Sequence, residues 1–252
     1  MEFIYWDRNE PHCFDDYSLI LPSVAVGNVG QLAVDLLLNN LRVEHLGYIH
    51  HPSILPIVGA DPFDPGRKKL ATSCELYECK EKKLVIIQQR SPIVSSKVCE
   101  YQAFLTAFIK EHKFKKTVLL SSSFSQFFTV DDLSGIPMHY LCSVNIADEE
   151  TFKDLSWKNF SLPKNVNSIE TSKIPGGGIA TTLLDDCKQK NIPLIVLILV
   201  CSEGYNYPEA FQMVTNLNNW LHLKEADHTN DMWKMPVSWA LPYGSNAPHT
   251  IY

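Results

Sequence analysis

Short apolar runs alternate with longer segments of helical spacing over most of the chain. The run 19–26, LILPSVAV, has the length and apolar character of a strand. In 28–41 the apolar residues recur every three or four positions, which is the spacing of one helix face. The run 194–200, LIVLILV, is apolar throughout, which is typical of a strand covered on both faces in the middle of a sheet.

The same alternation continues through the rest of the chain. Further strands are predicted at 45–50, 84–88 and 116–121, and further helices at 97–112, 178–190 and 207–223. Alternating strands and helices predict an α/β fold, here a single three-layer α/β/α domain with a mainly parallel sheet. A length of 252 residues suits one large domain.

Three segments interrupt this alternation. The stretch 56–73 is rich in proline, glycine and charge and predicts a loop or excursion, and 143–172 is polar and predicts an irregular surface insert. The stretch 233–252 has little helical or strand pattern and predicts an extended C-terminal tail. The predicted organisation is therefore an α/β/α domain over 1–232 followed by a tail over 233–252.

Composition and charge narrow the class of protein. Apolar residues make up 45% and charged residues 20% of the chain, as in ordinary globular proteins, and the net charge is −6. An acidic chain argues against nucleic acid or an anionic membrane as the main partner, and the basic cluster at 67–69 is interpreted as a solvated loop. We expect no signal peptide and no Cys-x-x-Cys metal or redox site, and hence a cytosolic or nuclear protein with reduced thiols.

Two glycine motifs raise the question of a phosphate site. IPGGGI at 174–179 and GNVG at 27–30 each precede a predicted helix, but neither has the lysine of a P-loop or the third glycine of a dinucleotide fingerprint. Phosphate binding through backbone N–H groups alone stays open. The alternative is that the glycines form tight structural turns; the residues concerned are Gly27, Gly30, Gly176, Gly177 and Gly178.

Other candidate chemistry is sparse. Ser121, Ser122 and Ser123 follow a predicted strand, but no Gly-x-Ser-x-Gly elbow surrounds them. His50 and His51 are adjacent on a strand and would point to opposite faces, which does not suit one metal ion. We expect no catalytic residues, no metal and no cofactor.

Four stretches taken together are similar to the proteasome assembly chaperone 2 family. They are LPSVAVGNVGQLAVDLL at 21–37, IPGGGIATTLLD at 174–185, SEGYNYPEAF at 202–211 and WKMPVSWALPYGS at 233–245. The resemblance covers essentially the whole chain and implies an α/β/α chaperone without catalytic activity. It implies a heterodimer with proteasome assembly chaperone 1 that binds proteasome α-type subunits, promotes α-ring formation and prevents off-pathway pairing of α rings. It also implies a location in cytoplasm and nucleus.

The C-terminal residues are candidates for a contact with a partner. Related chaperones insert tails that end in a hydrophobic residue, a tyrosine and any residue, whereas this chain ends in Ile251 and Tyr252. These two residues are candidates for an α-subunit contact through the terminal carboxylate and the aromatic ring, the alternative being a disordered end.

Two hypotheses for function make different structural predictions. If the protein is an assembly chaperone, we expect an exposed apolar patch. A nucleotide- or nucleoside-handling enzyme instead predicts a deep pocket near 27–30 or 176–178.

Overall fold

Most of the strands belong to one sheet in the computed structural model, which describes residues 3–7, 13–64, 66, 69–145, 147–162, 173–225 and 233–240. The strands described are β1 (Ile4–Trp6), β2 (Ser18–Pro22), β3 (Glu44–Ile49), β4 (Val58–Ala60), β5 (Leu70–Thr72), β6 (Cys74–Cys79), β7 (Leu84–Gln89), β8 (Lys116–Phe124), β9 (His139–Cys142), β10 (Lys158–Asn159) and β11 (Ile195–Cys201).

The helices lie between the strands in sequence. The α-helices described are α1 (Val29–Asn40), α2 (Val98–His112), α3 (Val130–Leu133), α4 (Glu149–Asp154), α5 (Ala180–Gln189) and α6 (Tyr207–Leu221). Short 3₁₀ segments occupy Val26–Asn28, Lys80–Lys82, Ser95–Lys97, Ser125–Phe127 and Val237–Ala240.

The main sheet is mixed, with a parallel centre. Its strand order is β1-β3-β6-β7-β2-β8-β11-β9-β10. The pairs β7–β2, β2–β8 and β8–β11 are parallel, as is the outer pair β9–β10. Antiparallel pairing joins β1, β3, β6 and β7 in a row, and joins β9 to β11. The predicted α/β sheet is confirmed, with parallel pairing concentrated where helical crossovers connect the strands.

Helices cover both faces of the sheet, which gives the predicted three layers. The helices α1 and α6 contribute Val29, Ala33, Met213 and Leu217 to the core on one face. The helices α2 and α5 contribute their apolar side chains to the core on the other face. Along β8 the side chains alternate between these two cores, because successive residues of a strand point to opposite faces.

The first predicted strand ends earlier than its apolar run. Strand β2 stops at Pro22, and the chain then turns through the 3₁₀ segment Val26–Asn28 before α1 begins. Proline has no N–H to donate to a neighbouring strand, and the turn needs positive φ at Gly27 and Asn28. The apolar residues beyond Pro22 therefore belong to a buried turn.

The segment 143–172 is folded onto the sheet edge wherever it is described. It contains α4 and the edge strand β10, and its residues 146 and 163–172 lie outside the described residues. Phe152 and Trp157 are buried, and their rings stack with centroids 4.9 Å apart. Two aromatic side chains spaced five residues apart among charges are too few to give a recognisable period, so the polar composition hid this packing.

The stretch 56–73 contains a hairpin that stands apart from the main sheet. Strands β4 and β5 pair antiparallel, with Val58 opposite Thr72 and Ala60 opposite Leu70. Strand β6 starts directly after β5, at the level where β7 ends. The hairpin, defined here as β4 and β5, therefore lies beyond the carboxyl ends of the central strands.

Residues 233–240, called the strap below, pack along α1 and α6. At its start the Lys234 backbone accepts from and donates to the Asn40 side chain, over 2.7 and 2.8 Å. At its end the Trp239 ring stacks on Tyr207 with centroids 4.2 Å apart. This beginning of the predicted tail is thus held against the domain, because both of its tryptophans are buried. Ile251 and Tyr252 lie outside the described residues.

Candidate functional site

The two glycine motifs and the three serines meet at the carboxyl ends of the central parallel strands. In open α/β sheets this edge is where ligands usually bind. The turn after β2, the end of β8 and the loop 174–179 before α5 come together here. The residues at this meeting point are called the carboxyl-edge junction: Ser23, Val26, Gly27, Gly30, the serines 121–123 and the loop 174–179.

The three serine hydroxyls are committed to backbone carbonyls. Ser121 and Ser123 face the loop 174–179 and donate to the carbonyl oxygens of Gly177 and Pro175, over 3.1 and 2.9 Å. Ser122 points to the opposite face and donates to the Val26 carbonyl oxygen over 2.5 Å. All three serines are fully buried. Hydroxyls used in this way hold loops in place, and none is aimed at solvent as a nucleophile would need to be.

Further hydrogen bonds join the two glycine-containing turns to each other. The Ser23 hydroxyl donates to the Gly177 carbonyl oxygen over 2.7 Å and accepts from the Ile179 amide over 3.2 Å. The Val26 amide donates to the Gly176 carbonyl oxygen over 2.8 Å. The turn after β2 and the loop before α5 therefore form one hydrogen-bonded unit.

Glycine is required at this unit by close approach and by backbone conformation. Gly178 has φ +61°, and a Cβ there would lie 2.3 Å from the Val24 carbonyl oxygen. Gly30 sits at the start of α1, where a Cβ would lie 2.3 Å from the Leu120 carbonyl oxygen. Gly27 and Gly176 also have positive φ, and Gly177 lies against Ile174 of its own loop. Neighbouring atoms thus fill the space next to all five glycines.

The geometry does not match a phosphate cradle. Such loops aim several backbone N–H groups at open space. Here the amides of Val26, Gly177 and Ile179 donate to groups of the protein itself. The side chain of Phe124 covers Gly176, since a Cβ there would lie 2.7 Å from the ring. The glycines therefore join two loops tightly.

One shallow depression lies outside this junction. It has a volume of about 380 Å³ and is lined by Phe124, Ser125, Gln126, Ser202 and Glu203. The hydroxyls of Ser125 and Ser202 lie 2.7 Å apart at its surface. Small-molecule sites are usually lined mostly by apolar groups, whereas Phe124 is the one apolar residue among these five. The depression therefore lacks the character that a nucleoside pocket would have.

The histidine pair has a structural environment. His51 is buried, and its Nδ1 accepts from the Ser53 amide over 3.1 Å. Its ring packs edge-on against Phe3 with centroids 4.4 Å apart, and burial lowers the pKa of His51. Within the described ranges no group of three or more His, Cys, Asp or Glu side chains is arranged to hold a metal ion.

An exposed apolar patch was expected of an assembly chaperone, but its position was not predicted from the sequence. The hairpin exposes Ile57 at its base together with Val58 and Leu70, and the strap exposes Met235 and Val237. Val58 is 68% exposed and Leu70 is 58% exposed, although both belong to strands. The only signal in the sequence was the string PIVGA at 56–60, which carries no polar residue to indicate a solvated loop. Among the described helices, none is long and apolar enough to cross a membrane.

The three-layer fold recurs in solved structures of other proteins, and the sequence matches the model of a recognised family. The family model described as the PAC2 family matches residues 19–231 of this chain, and the chain belongs to that family. Curated relatives carry one name, Proteasome assembly chaperone 2. The relative from Danio rerio is 36% identical over 249 residues, covering 95% of this chain and 96% of the relative. The relative from Homo sapiens is 32% identical over 250 residues, covering 94% and 95%.

A third relative of that name, from Nematostella vectensis, is 39% identical over 226 residues and covers 85% of this chain and 93% of its own. Solved structures are similar in fold. Pyrococcus furiosus PbaA, described as an archaeal homolog of proteasome-assembly chaperone, superposes with a TM-score of 0.65 at 16% identity, covering 86% of each chain. PbaB from the same organism, described as an archaeal proteasome activator, gives 0.61 at 16% identity over 89% and 90%. The predicted family and fold class are confirmed.

Proposed function

We propose that this protein is a chaperone for assembly of the proteasome core particle. The observation that carries the proposal is the identity of 32–39% to relatives named Proteasome assembly chaperone 2, over most of both chains. Coverage on both sides means that the whole relative, and not one shared module, is the matched unit. The proteasome-related PbaA and PbaB share the fold.

In its finer form, the proposal is a heterodimer with proteasome assembly chaperone 1. The pair binds proteasome α-type subunits, promotes α-ring formation and prevents off-pathway pairing of α rings, in cytoplasm and nucleus. Support comes from the same four stretches on which the resemblance was based. Two of them, 174–185 and 21–37, hold the residues of the carboxyl-edge junction other than the serines 121–123, and a third, 233–245, begins with the strap.

The local geometry favours a binding protein over the nucleotide-handling alternative. The glycines and serines that suggested an enzyme use their hydrogen-bonding groups within the carboxyl-edge junction. Large apolar side chains stand exposed on the hairpin and strap, as expected of a protein that works by contacting other proteins. The role of Ile251 and Tyr252 in contacting α subunits remains part of the proposal.

Affinity purification from human cells that lack the human relative tests this function. The tagged chain should recover proteasome assembly chaperone 1 and free α-type subunits, and it should restore the level of α-ring intermediates. A chain ending at 247 should still recover the chaperone but fewer α subunits if the tail makes the proposed contact. Recovery of neither partner by a folded, soluble chain would contradict the proposal, and recovery of mature proteasomes alone would contradict an assembly role.

A further inference from the structure

Exposed apolar side chains are concentrated on one part of the molecule. Nine large apolar side chains are exposed among the described residues. Five of these nine lie on the hairpin, directly before it or on the strap, and they form what we call the hairpin–strap surface: Ile57, Val58, Leu70, Met235 and Val237. A concentration of this kind marks a contact surface more often than chance exposure does.

The strap contacts the loop that connects β4 to β5, so the hairpin and the strap adjoin through that loop. The Ser238 amide donates to the Pro62 carbonyl oxygen over 3.2 Å. Pro62 is two residues beyond the end of β4, and Ser238 follows Val237. The strap is itself fixed at both ends, by Asn40 and by Tyr207, so its outer side chains are presented on an ordered support.

The hairpin also has an open edge. Strand β4 pairs with β5 alone among the described strands, and all three of its residues are exposed. An exposed strand of small and apolar residues without charge is a site for association, and proteins usually protect such an edge. No charged residue occurs in the stretch 54–60 that includes this strand. The surface is therefore suited to being covered by another protein.

Charge around the surface indicates what kind of protein covers it. Lys234 is exposed next to Met235, and Lys69 precedes Leu70 and lies over the Tyr77 ring at 5.8 Å. By sequence, Arg67 and Lys68 also fall between the two hairpin strands. The same loop holds two carboxylates: that of Asp61 is buried and accepts from the Phe63 amide, and that of Asp64 is partly exposed and accepts from the Gly66 amide, so they offset the positive charge only in part. Among the described residues, Lys69 and Lys234 thus give the border of the surface a basic character, although the whole chain carries −6.

A basic border disfavours a second copy of the same chain. In a two-fold pairing the same patch meets itself, and like charges would then face each other across the contact. We propose that the hairpin–strap surface is the docking site for a second, non-identical protein subunit, whose contact face is an apolar strip bordered by carboxylates. This inference rests on the proposed function, under which that subunit is the partner chaperone, proteasome assembly chaperone 1.

Aspartate substitutions test the surface against a matched valine elsewhere. The full chain carrying Val58→Asp or Val237→Asp is titrated with purified proteasome assembly chaperone 1, since a buried carboxylate in an apolar contact is costly. We expect each variant to raise the dissociation constant about tenfold or more. Val130→Asp is the control, because Val130 is 84% exposed on α3 and should change binding by less than about twofold.

A charge reversal gives a second and milder measurement. Lys234→Glu should weaken binding and reduce its dependence on salt, because the proposed contact pairs this border with carboxylates. Circular dichroism and thermal unfolding verify that each variant is folded; all the substituted side chains are exposed in the free chain.

The possible outcomes separate the surface from the function. Unchanged binding by all three folded variants would overturn the surface and leave the proposed function standing. A wild-type chain that does not bind the partner chaperone would contradict the proposed function, and the docking assignment with it. Loss of α-subunit binding alone, or a homodimer disrupted by Val58→Asp, would assign the surface to a different occupant and overturn the inference.

Discussion

The carboxyl-edge junction and the hairpin–strap surface differ in burial and in the use of their polar groups. At the junction, glycines and serines are buried and their polar groups are paired within the protein. On the hairpin–strap surface, apolar side chains are exposed on two supported segments. The junction, which contains the recognisable glycine and serine motifs, is therefore buried. The hairpin–strap surface, which contains no recognisable motif, is accessible to a partner.

This difference shows that a sequence motif does not by itself identify the surface through which the protein acts. Glycine before a helix serves equally to expose backbone to a ligand and to let two backbones approach. Only the neighbouring atoms distinguish these roles, and at Gly178 the neighbour is the Val24 carbonyl oxygen. The following experiments test the contrast, beginning with the largest expected effect.

One glycine from each region provides the strongest comparison. Gly178→Ala should lower the free energy of unfolding by about 3 kcal/mol or more, because it combines positive φ with a collision against backbone. Gly59→Ala in the hairpin should be neutral or slightly stabilising, since nothing lies within 4 Å of a Cβ there. Urea unfolding of both variants measures the difference. Equal stabilities would refute the view of the junction as a tightly packed unit.

Lowering the pH tests a residue outside both regions, the buried His139. Burial lowers the pKa of His139 from 6.5 to about 4, and Lys158 acts in the same direction. The unfolded chain therefore binds a proton that the folded chain excludes, so stability is full above pH 6.5 and falls as the pH drops toward 4. The loss should be about 3 kcal/mol, since each unit of pKa difference corresponds to about 1.4 kcal/mol.

Urea unfolding of the wild type and His139→Gln across this pH range isolates the contribution of His139. The lowered pKa of His51 has the same sign in both chains and cancels in the difference. The variant should show a flatter pH profile. Parallel profiles for the two chains would show that His139 titrates normally in the folded state.

A serine substitution distinguishes a structural hydroxyl from a surface one. Ser122→Ala should cost about 1 kcal/mol, because the Val26 carbonyl oxygen loses a buried donor. Ser125→Ala is the control, since its hydroxyl contacts Ser202 at the surface and should change stability by less than about 0.5 kcal/mol. Thermal unfolding of both variants gives the comparison, and a smaller effect at Ser122 than at Ser125 would contradict the structural role.

The smallest expected effect on stability comes from the hydrogen bonds that hold the strap. Asn40→Ala removes the pair of hydrogen bonds to the Lys234 backbone and should change global stability by less than about 1 kcal/mol. Hydrogen exchange at the Lys234 amide should nevertheless become faster. Asn39→Ala, which removes a single bond to the same carbonyl, should have a weaker effect. Unchanged exchange in both variants would mean that the tryptophans alone hold the strap.

Strands and helices with an uninterrupted hydrophobic pattern were predicted well from the sequence. The predicted strand 194–200 corresponds to β11, and the predicted helices 28–41 and 97–112 correspond to α1 and α2 within a residue or so. Strand β6 was not predicted, and its residues Glu75 and Glu78 interrupt any apolar pattern there. Both glutamates are in fact buried, and Glu75 accepts from the Tyr77 hydroxyl over 2.8 Å.

The site was predicted only in part, for a physical reason. Strand β8 continues through Ser121, Ser122 and Ser123, whereas the prediction ended at 121. Serine is tolerated there because its hydroxyls donate to carbonyls of residues that are distant in the chain. Such pairings leave no local pattern. The exposure of Val58 and Val237 is equally invisible, since an apolar residue in a short strand is usually buried.

The hydrogen bond between Ser23 and Gly177 has a consequence for how the protein is made. Its two residues are 154 positions apart. At synthesis rates of about 5–20 residues per second, Gly177 would follow Ser23 out of the ribosome only after about 8–30 seconds. Strand β8, which pairs with β2 and starts at Lys116, is also synthesised well after β2, so β2 remains without this neighbour for more than half of that interval. A chaperone of this fold is thus itself a slow, long-range folder, whose own nascent chain is open to help from other chaperones.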